Sequence, residues 1–176
     1  MKKLFALLFV AAFAVNSTFA NILPVDSDPP TIVGVAAANE NFSTLVAAVK
    51  AADLVTVLNS DGPFTVFAPT NAAFEKLAEG TVATLLKPES KETLTAVLTY
   101  HVVAGKFKAA DVLAAIKKNE GSFTIPTVQG GTLTASLKDG NVILTDAVGN
   151  ISTIVITDVE ASNGIIHAID TVVMPK

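Results

Sequence analysis

Few residues of this 176-residue chain could perform chemistry, because it has two histidines and no cysteine. His101 and His167 lie far apart and belong to no local metal-binding motif such as HExxH. The absence of cysteine excludes thiolate zinc sites, iron–sulfur clusters and a cysteine nucleophile. The chain has no GxSxG nucleophile elbow and no recognisable Ser-His-Asp series. We therefore expect no enzyme activity, no metal and no cofactor.

The remaining candidates for chemistry are an acidic pair and one histidine. Asp158 and Glu160 share a face of a predicted strand, where two carboxylates could do acid/base work, but no other residue supports that role. We interpret the pair as a solvated acidic edge. His101 lies between Tyr100 and two valines, so we predict a buried, structural histidine. We expect its ring to bond to Thr70 and Asn71.

The charge composition argues against one class of partner. The chain contains 16 acidic residues against 12 basic ones, and every basic residue is lysine, so the net charge is −4. Binding to nucleic acid depends on neutralising phosphates with clustered Lys and Arg. We therefore expect no nucleic-acid partner.

The first twenty residues have the anatomy of a secretory signal peptide. Two lysines precede the apolar run Leu4–Val15, and the small residues Thr18 and Ala20 occupy the −3 and −1 positions of a cleavage site. Twelve apolar residues span about 18 Å as a helix, too short for a hydrocarbon core of about 30 Å. We predict cleavage after Ala20, no transmembrane segment in the exported protein, and an extended linker over residues 21–30.

The rest of the chain, residues 31–176, changes period part of the way along. Helical spacing of apolar residues predicts helices over Ile32–Ala38, Phe42–Ala51, Lys91–Tyr100 and Lys108–Lys118, and a turn capped by Asp53. β-Branched or alternating segments predict strands over Phe64–Ala68, His101–Val103, Leu133–Lys138, Asn141–Thr145, Ile151–Asp158, Ile165–Ile169 and Thr171–Met174. Asp139-Gly140 favours a two-residue hairpin turn. Helices concentrate in the first half and strands in the second, so the fold class is α+β.

Three segments in order resemble the signatures of fasciclin-like (FAS1) domains. They are Gly62–Asn71 with Ala73-Phe74, Leu98–Val103 with its Tyr-His pair, and Asn163–Asp170 continuing through Val172-Val173-Met174-Pro175. The resemblance covers residues 31–176 and implies a wedge-shaped β-sandwich with several helices packed around it. Asn163-Gly164 has the chemistry of a turn where a positive φ is cheap.

The resemblance also implies a function and a set of partner-binding residues. Family members are typically extracellular adhesion proteins, and a Tyr-His segment and an Asp-Ile pair are credited with receptor binding in animal members. Tyr100 and His101 match the first, and Asp158-Val159 falls where the second is expected, with Val in place of Ile. We therefore expect Tyr100, His101, Asp158 and Val159 to be candidate contacts, without carrying over the animal receptor.

Two functional interpretations stay open. The first is a non-enzymatic, secreted adhesion module that binds a protein or glycan of a cell surface or matrix, exported to the periplasm, cell surface or medium of a bacterium. The second is an envelope protein that binds or converts a small molecule in a pocket near Tyr100 and His101. A deep pocket lined by convergent polar groups would favour the second.

Overall fold

The computed structural model describes residues 30–78 and 80–176. The predicted signal peptide, residues 1–20, and the predicted linker up to residue 29 lie outside the described residues, and both stay predictions. The description begins at Pro30, whose carbonyl accepts a hydrogen bond from Ser162 N (3.1 Å).

Seven α-helices and two 3-10 turns lie within the described residues, and most of them are in the first half of the chain. The helices are α1 (Ile32–Ala37), α2 (Ser43–Ala51), α3 (Val55–Leu58), α4 (Asn71–Glu75), α5 (Thr81–Leu85), α6 (Lys91–Tyr100) and α7 (Ala109–Lys118). The 3-10 turns, Glu40–Phe42 and Pro88–Ser90, directly precede α2 and α6. Thr70 Oγ1 accepts from Ala73 N at the start of α4 and so caps that helix.

Seven strands form one strongly wrapped sheet. They are β1 (Phe64–Pro69), β2 (Val102–Ala104), β3 (Ser122–Pro126), β4 (Thr132–Lys138), β5 (Asn141–Thr145), β6 (Ile151–Ala161) and β7 (Gly164–Ile169), in the spatial order β2-β1-β7-β6-β5-β4-β3. β1 and β7 are parallel and the other pairs are antiparallel. Val128 N donates to Val102 O (2.8 Å) between the two ends of the sheet, which is therefore nearly closed. The predicted α+β class is confirmed.

The central strands β1 and β7 separate two hydrophobic cores. Val66 and Ile166 face the helices and join a cluster with α1, α2 and α6. Phe67 and Ile169 face the opposite way, into a cluster enclosed by β3, β4, β5 and α7. All six residues of β7 are buried, as expected for a strand covered on both faces.

Asn163 lies in the turn between β6 and β7, as predicted, but neither Asn163 nor Gly164 has a positive φ, so that part of the prediction is wrong and the pair serves close packing. Gly164 has no positive φ, but a Cβ at this position would lie 2.1 Å from Phe64 O. The Asn163 side chain accepts from Ile32 N (2.9 Å) and donates to Leu58 O (2.7 Å). The motif therefore joins α1, the end of α3 and the start of β7.

Several predicted elements differ from the structure. Thr171–Met174 forms no strand; Met174 N donates instead to Asp146 Oδ2 (2.9 Å). Asp53 does not cap α3, because it has a positive φ and its carboxylate pairs with Lys91. The strand β3 and the helix α5 were not predicted. The two-residue turn at Asp139-Gly140 is confirmed, with φ values of +52° and +82°.

Candidate functional site

Tyr100 ends α6 and its side chain is fully buried. The phenol donates to Thr132 O (2.6 Å) and accepts from Ala147 N (3.1 Å), so both of its hydrogen-bonding roles are filled by backbone atoms. Burial raises the pKa of Tyr100, against the opposing effect of the Ala147 hydrogen bond. The neutral side chain connects α6 to β4 and to the β5–β6 loop. It presents no atom to a partner.

His101 follows Tyr100 and is also buried. Its Nδ1 lies 2.7 Å from Val97 O, and its Nε2 lies 3.3 Å from Val173 N. A carbonyl needs a donor and an amide needs an acceptor, so this network assigns the proton to Nδ1. Burial lowers the pKa of His101 to about 4, although the bond to Val97 O acts in the opposite direction. The ring is therefore neutral at pH 7.

The predicted partners of His101, Thr70 and Asn71, are wrong. Thr70 caps α4, and Asn71 accepts from Thr44 N (3.1 Å) and donates to Glu40 O (2.9 Å). Both side chains are used at the junction of α2 and α4, where local backbone groups need partners. His101 reaches the segment after β7 instead.

A cavity adjoins His101 on the helical side of the sheet. Its volume is about 30 Å³, and its lining is aliphatic apart from His101. Small-molecule sites are typically about 300–1,000 Å³ and carry several polar groups for orientation. The described residues near Tyr100 and His101 therefore form no site of the kind that a small-molecule function requires.

Asp158 lies on β6 at an interruption of the ladder between β6 and β7. The register shifts between Ile156 and Val159, and Asp158 has a φ of +56°, a left-handed conformation that Asp tolerates better than most residues. Its side chain is exposed, and Oδ1 accepts from Ala109 N (2.9 Å) at the first turn of α7. Val159 is partly buried and pairs with Ile166. The bulge therefore directs the acid to the surface and Val159 to the core.

Exposed residues flank Asp158 on the same strand, and we call Val155, Ile156, Thr157, Asp158 and Glu160 the β6 ridge. Val155 and Ile156 are 53% and 42% exposed, and they are adjacent on the strand. β5 pairs with β6 only over residues 151–153, so no β5 residue pairs with the ridge.

Two lysines border the ridge. Lys108 Nζ lies 3.0 Å and Lys106 Nζ 3.9 Å from Glu160 Oε1. The hydrogen bond from Lys108 and the charges of both lysines lower the pKa of Glu160, and the same pair raises the pKa of Lys108. Glu160 is therefore partly neutralised, whereas Asp158 contacts a backbone amide.

His167 also contributes to the site around Asp158, which the sequence did not predict. It is buried on β7, its Nε2 donates to Phe107 O (2.8 Å), and its Nδ1 accepts from Asp158 N (3.3 Å). Its ring stacks on Phe67, with centroids 5.7 Å apart. The signal available in the sequence is a histidine inside the apolar strand segment Ile165–Ile169.

The described part of the chain has neither a cluster of side chains suited to a metal ion nor a membrane-spanning helix. Within residues 30–78 and 80–176, no three His, Asp or Glu side chains converge as metal ligands would. Over the same ranges, no helix combines the length and apolar character needed to cross a bilayer.

Known proteins share both the sequence and the fold. Protein sll1483 from Synechocystis sp. is 54% identical over 145 residues, which cover 82% of this chain and 73% of that protein. Immunogenic protein MPT70 from Mycobacterium tuberculosis is 38% identical over 162 residues, covering 89% and 74% of the two chains. A FAS1 domain pair from the insect cell adhesion molecule fasciclin I superposes with a TM-score of 0.72 at 20% identity.

The superposition covers 82% of this chain and 50% of the insect chain, so this chain corresponds to half of that pair. It confirms the predicted fold. The sequence profile of the Fasciclin domain matches residues 40–175, which include all three of the signature segments. By sequence and by structure, this chain belongs to the Fasciclin domain family.

Proposed function

We propose that this protein is a secreted or cell-surface adhesion module that binds a protein partner through the β6 ridge. The observation that carries the proposal is the exposure of Val155, Ile156 and Asp158 together on one interrupted strand. Contiguous exposed apolar surface is a feature of protein interaction sites. The similarity to a structure from an insect cell adhesion molecule supports the general role.

The ridge supports this role better than the Tyr-His pair does. Tyr100 and His101 are buried and fully bonded to backbone atoms, so their substitution would act through the fold. Asp158 has a carboxylate at the surface, and only Oδ1 is bonded to Ala109 N. Its contribution to binding would be direct.

A protein partner suits the ridge better than a glycan. Val155 and Ile156 offer aliphatic surface on the part of β6 that β5 does not pair, and an extended peptide can use both features. Catalysis is no part of the proposal, because the ring nitrogens of both histidines bond to backbone atoms.

The test is the substitution Asp158→Asn, which keeps an oxygen for Ala109 N and removes the negative charge. Beads coated with this variant should attach to envelope or matrix protein extracts at least about fivefold less than wild-type beads, a loss of roughly 1 kcal/mol. Its unfolding midpoint in urea should match that of the wild type.

The matched control is Asp139→Asn, an exposed aspartate with a positive φ of +52° on the β4–β5 turn. It should bind like the wild type. Equal attachment by all three proteins would contradict the assignment of the ridge. Attachment that survives protease treatment of the extract but not glycosidase treatment would favour a glycan.

A further inference from the structure

One buried side chain, His167, bonds both to the backbone of the β6 ridge and to the backbone of the β2–α7 connection. His167 Nδ1 accepts from Asp158 N at the positive-φ residue of the ridge, and His167 Nε2 donates to Phe107 O. We propose that His167 positions the β6 ridge, and that protonation of Nδ1 releases the ridge from it. The consequence for adhesion rests on the function proposed above.

The chemistry follows from the two ring nitrogens. When the neutral imidazole takes up a proton from water at Nδ1, the lone pair that accepted Asp158 N–H is no longer available. Two N–H groups then face each other, and the Asp158 amide has lost its acceptor. The Nε2 proton is unchanged, so the bond to Phe107 O persists.

The opposite side of the site is held independently of the histidine. Thr65 Oγ1 on β1 accepts from Phe107 N (2.9 Å) and donates to Gly105 O (2.7 Å). Thr65 is fully buried and does not titrate. Protonation of His167 therefore loosens the β6 side of the site, while the connection between β2 and α7 keeps its place.

The two segments that His167 bonds to, and the first turn of α7 that follows one of them, carry five charged groups. β6 carries Asp158 and Glu160, the β2–α7 connection carries Lys106 and Lys108, and the first turn of α7 carries Asp111. β1 contributes the uncharged ring of Phe67. An imidazolium at this position attracts the Asp158 carboxylate, which would have to leave Ala109 N to reach it.

The wild-type protein permits a direct test without any partner. Long-range proton–nitrogen spectra of the imidazoles, recorded from about pH 7.5 to about pH 4, follow the protonation of each ring nitrogen. They report the protonation of His167 separately from that of His101. Amide hydrogen exchange in the same samples, corrected for the intrinsic effect of pH, reports the opening of the ridge.

We expect the Asp158 amide to lose roughly tenfold in protection as His167 gains its proton, while amides of β1 and β7 keep theirs. Unchanged protection at Asp158 through that titration would overturn the proposal. Retention of a neutral His167 until the whole domain unfolds would also overturn it.

Two variants separate the two bonds. In His167→Asn the amide oxygen can occupy the place of Nδ1 and accept from Asp158 N at every pH, so Asp158 should stay protected in acid. In His167→Gln the amide reaches the place of Nε2 and leaves Asp158 N without an acceptor, so its protection should be low throughout. If either variant fails to fold, the wild-type titration decides.

Bead attachment at high and low pH distinguishes this proposal from the proposed function. Loss of attachment in acid by the wild type, but not by His167→Asn, supports both. An opened ridge with unchanged attachment supports the His167 proposal and contradicts the ridge as the binding surface.

Discussion

Tyr100 and His101 are adjacent in the chain but connect α6 to different parts of the sheet. Tyr100 bonds to the backbone of Thr132, where β4 begins, and of Ala147, which follows β5. His101 bonds within its own helix and to Val173 beyond β7. Each polar group is buried and each has its partners, which is the condition under which burial of polar side chains is tolerated. The motif therefore stabilises the fold at two long-range junctions.

Tyr100→Phe should destabilise the domain by about 1–3 kcal/mol, because Thr132 O loses its donor and Ala147 N its acceptor in a buried setting. The ring itself stays, so no cavity term is expected. Urea unfolding of the two proteins measures the difference. Folded Tyr100→Phe protein should still attach to extracts like the wild type, and a selective loss of attachment would make the phenol a direct contact.

His101 should make stability depend on pH. Its pKa is about 4 in the folded protein and about 6.5 in an unfolded chain, so the unfolded state binds more protons between these values. The stabilisation is therefore complete above about pH 6.5 and is lost as the pH falls to about 4, by up to roughly 3 kcal/mol. Urea unfolding at several pH values measures it.

His101→Asn provides the control for that measurement, because its amide can still donate to Val97 O and does not titrate. Its unfolding free energy should decline less steeply in acid than that of the wild type. Parallel pH profiles of the two proteins would mean that His101 does not contribute.

At the scale of elements, β1 and β7 organise the domain. Their parallel register places Phe64 beside Gly164 and Phe67 beside His167. Each strand is buried on both faces, so the two strands approach closely only where the side chains between them are small. Gly164 has no side chain and so allows this close approach at the start of β7.

Gly164→Ala should cost about 3 kcal/mol or prevent folding, because its Cβ would lie 2.1 Å from Phe64 O and 2.8 Å from Ile32 Cδ1. The control is Gly149→Ala, at a positive φ of +96° with no heavy atom near the added Cβ, which should cost only about 1 kcal/mol. Thermal unfolding of both variants compares them. Similar losses at the two positions would contradict the packing argument.

At the scale of the whole molecule, the two cores share the same pair of strands. Residues of β1 and β7 alternate between the helical cluster and the cluster inside the sheet. Loss of packing on one face therefore weakens the other face as well, and we expect one cooperative unfolding transition. The ridge lies on β6, which pairs with β7. An irregular surface segment therefore adjoins the buried centre of the sheet.

Export should yield a protein that begins at Asn21, because Thr18 and Ala20 are the small residues that signal peptidase requires. Intact mass of the protein recovered outside the cytoplasm tests this cleavage. A mass that retains residues 1–20 would show that the leader is kept. Ala20→Lys should block processing and serves as the control.

The sequence by itself determined the family and most of the local elements. Apolar spacing placed α2, α6 and α7, since each helix needs one buried face. Asp139-Gly140 specified its hairpin because few residue pairs adopt that turn. Three motifs identified the fasciclin-like domain because they resemble the signatures of that family and occur in the expected order.

Only the tertiary structure decided what those residues do. The burial of Tyr100 and His101, the collision that requires Gly164, and the bond between His167 and Asp158 all join segments distant in sequence. The positive φ of Asp158 likewise arises where β6 slips against β7. Periodicity describes one segment at a time, whereas these features depend on how closely two segments approach. Only the packed molecule therefore shows that the Tyr-His pair is structural and that Asp158 lies at the surface.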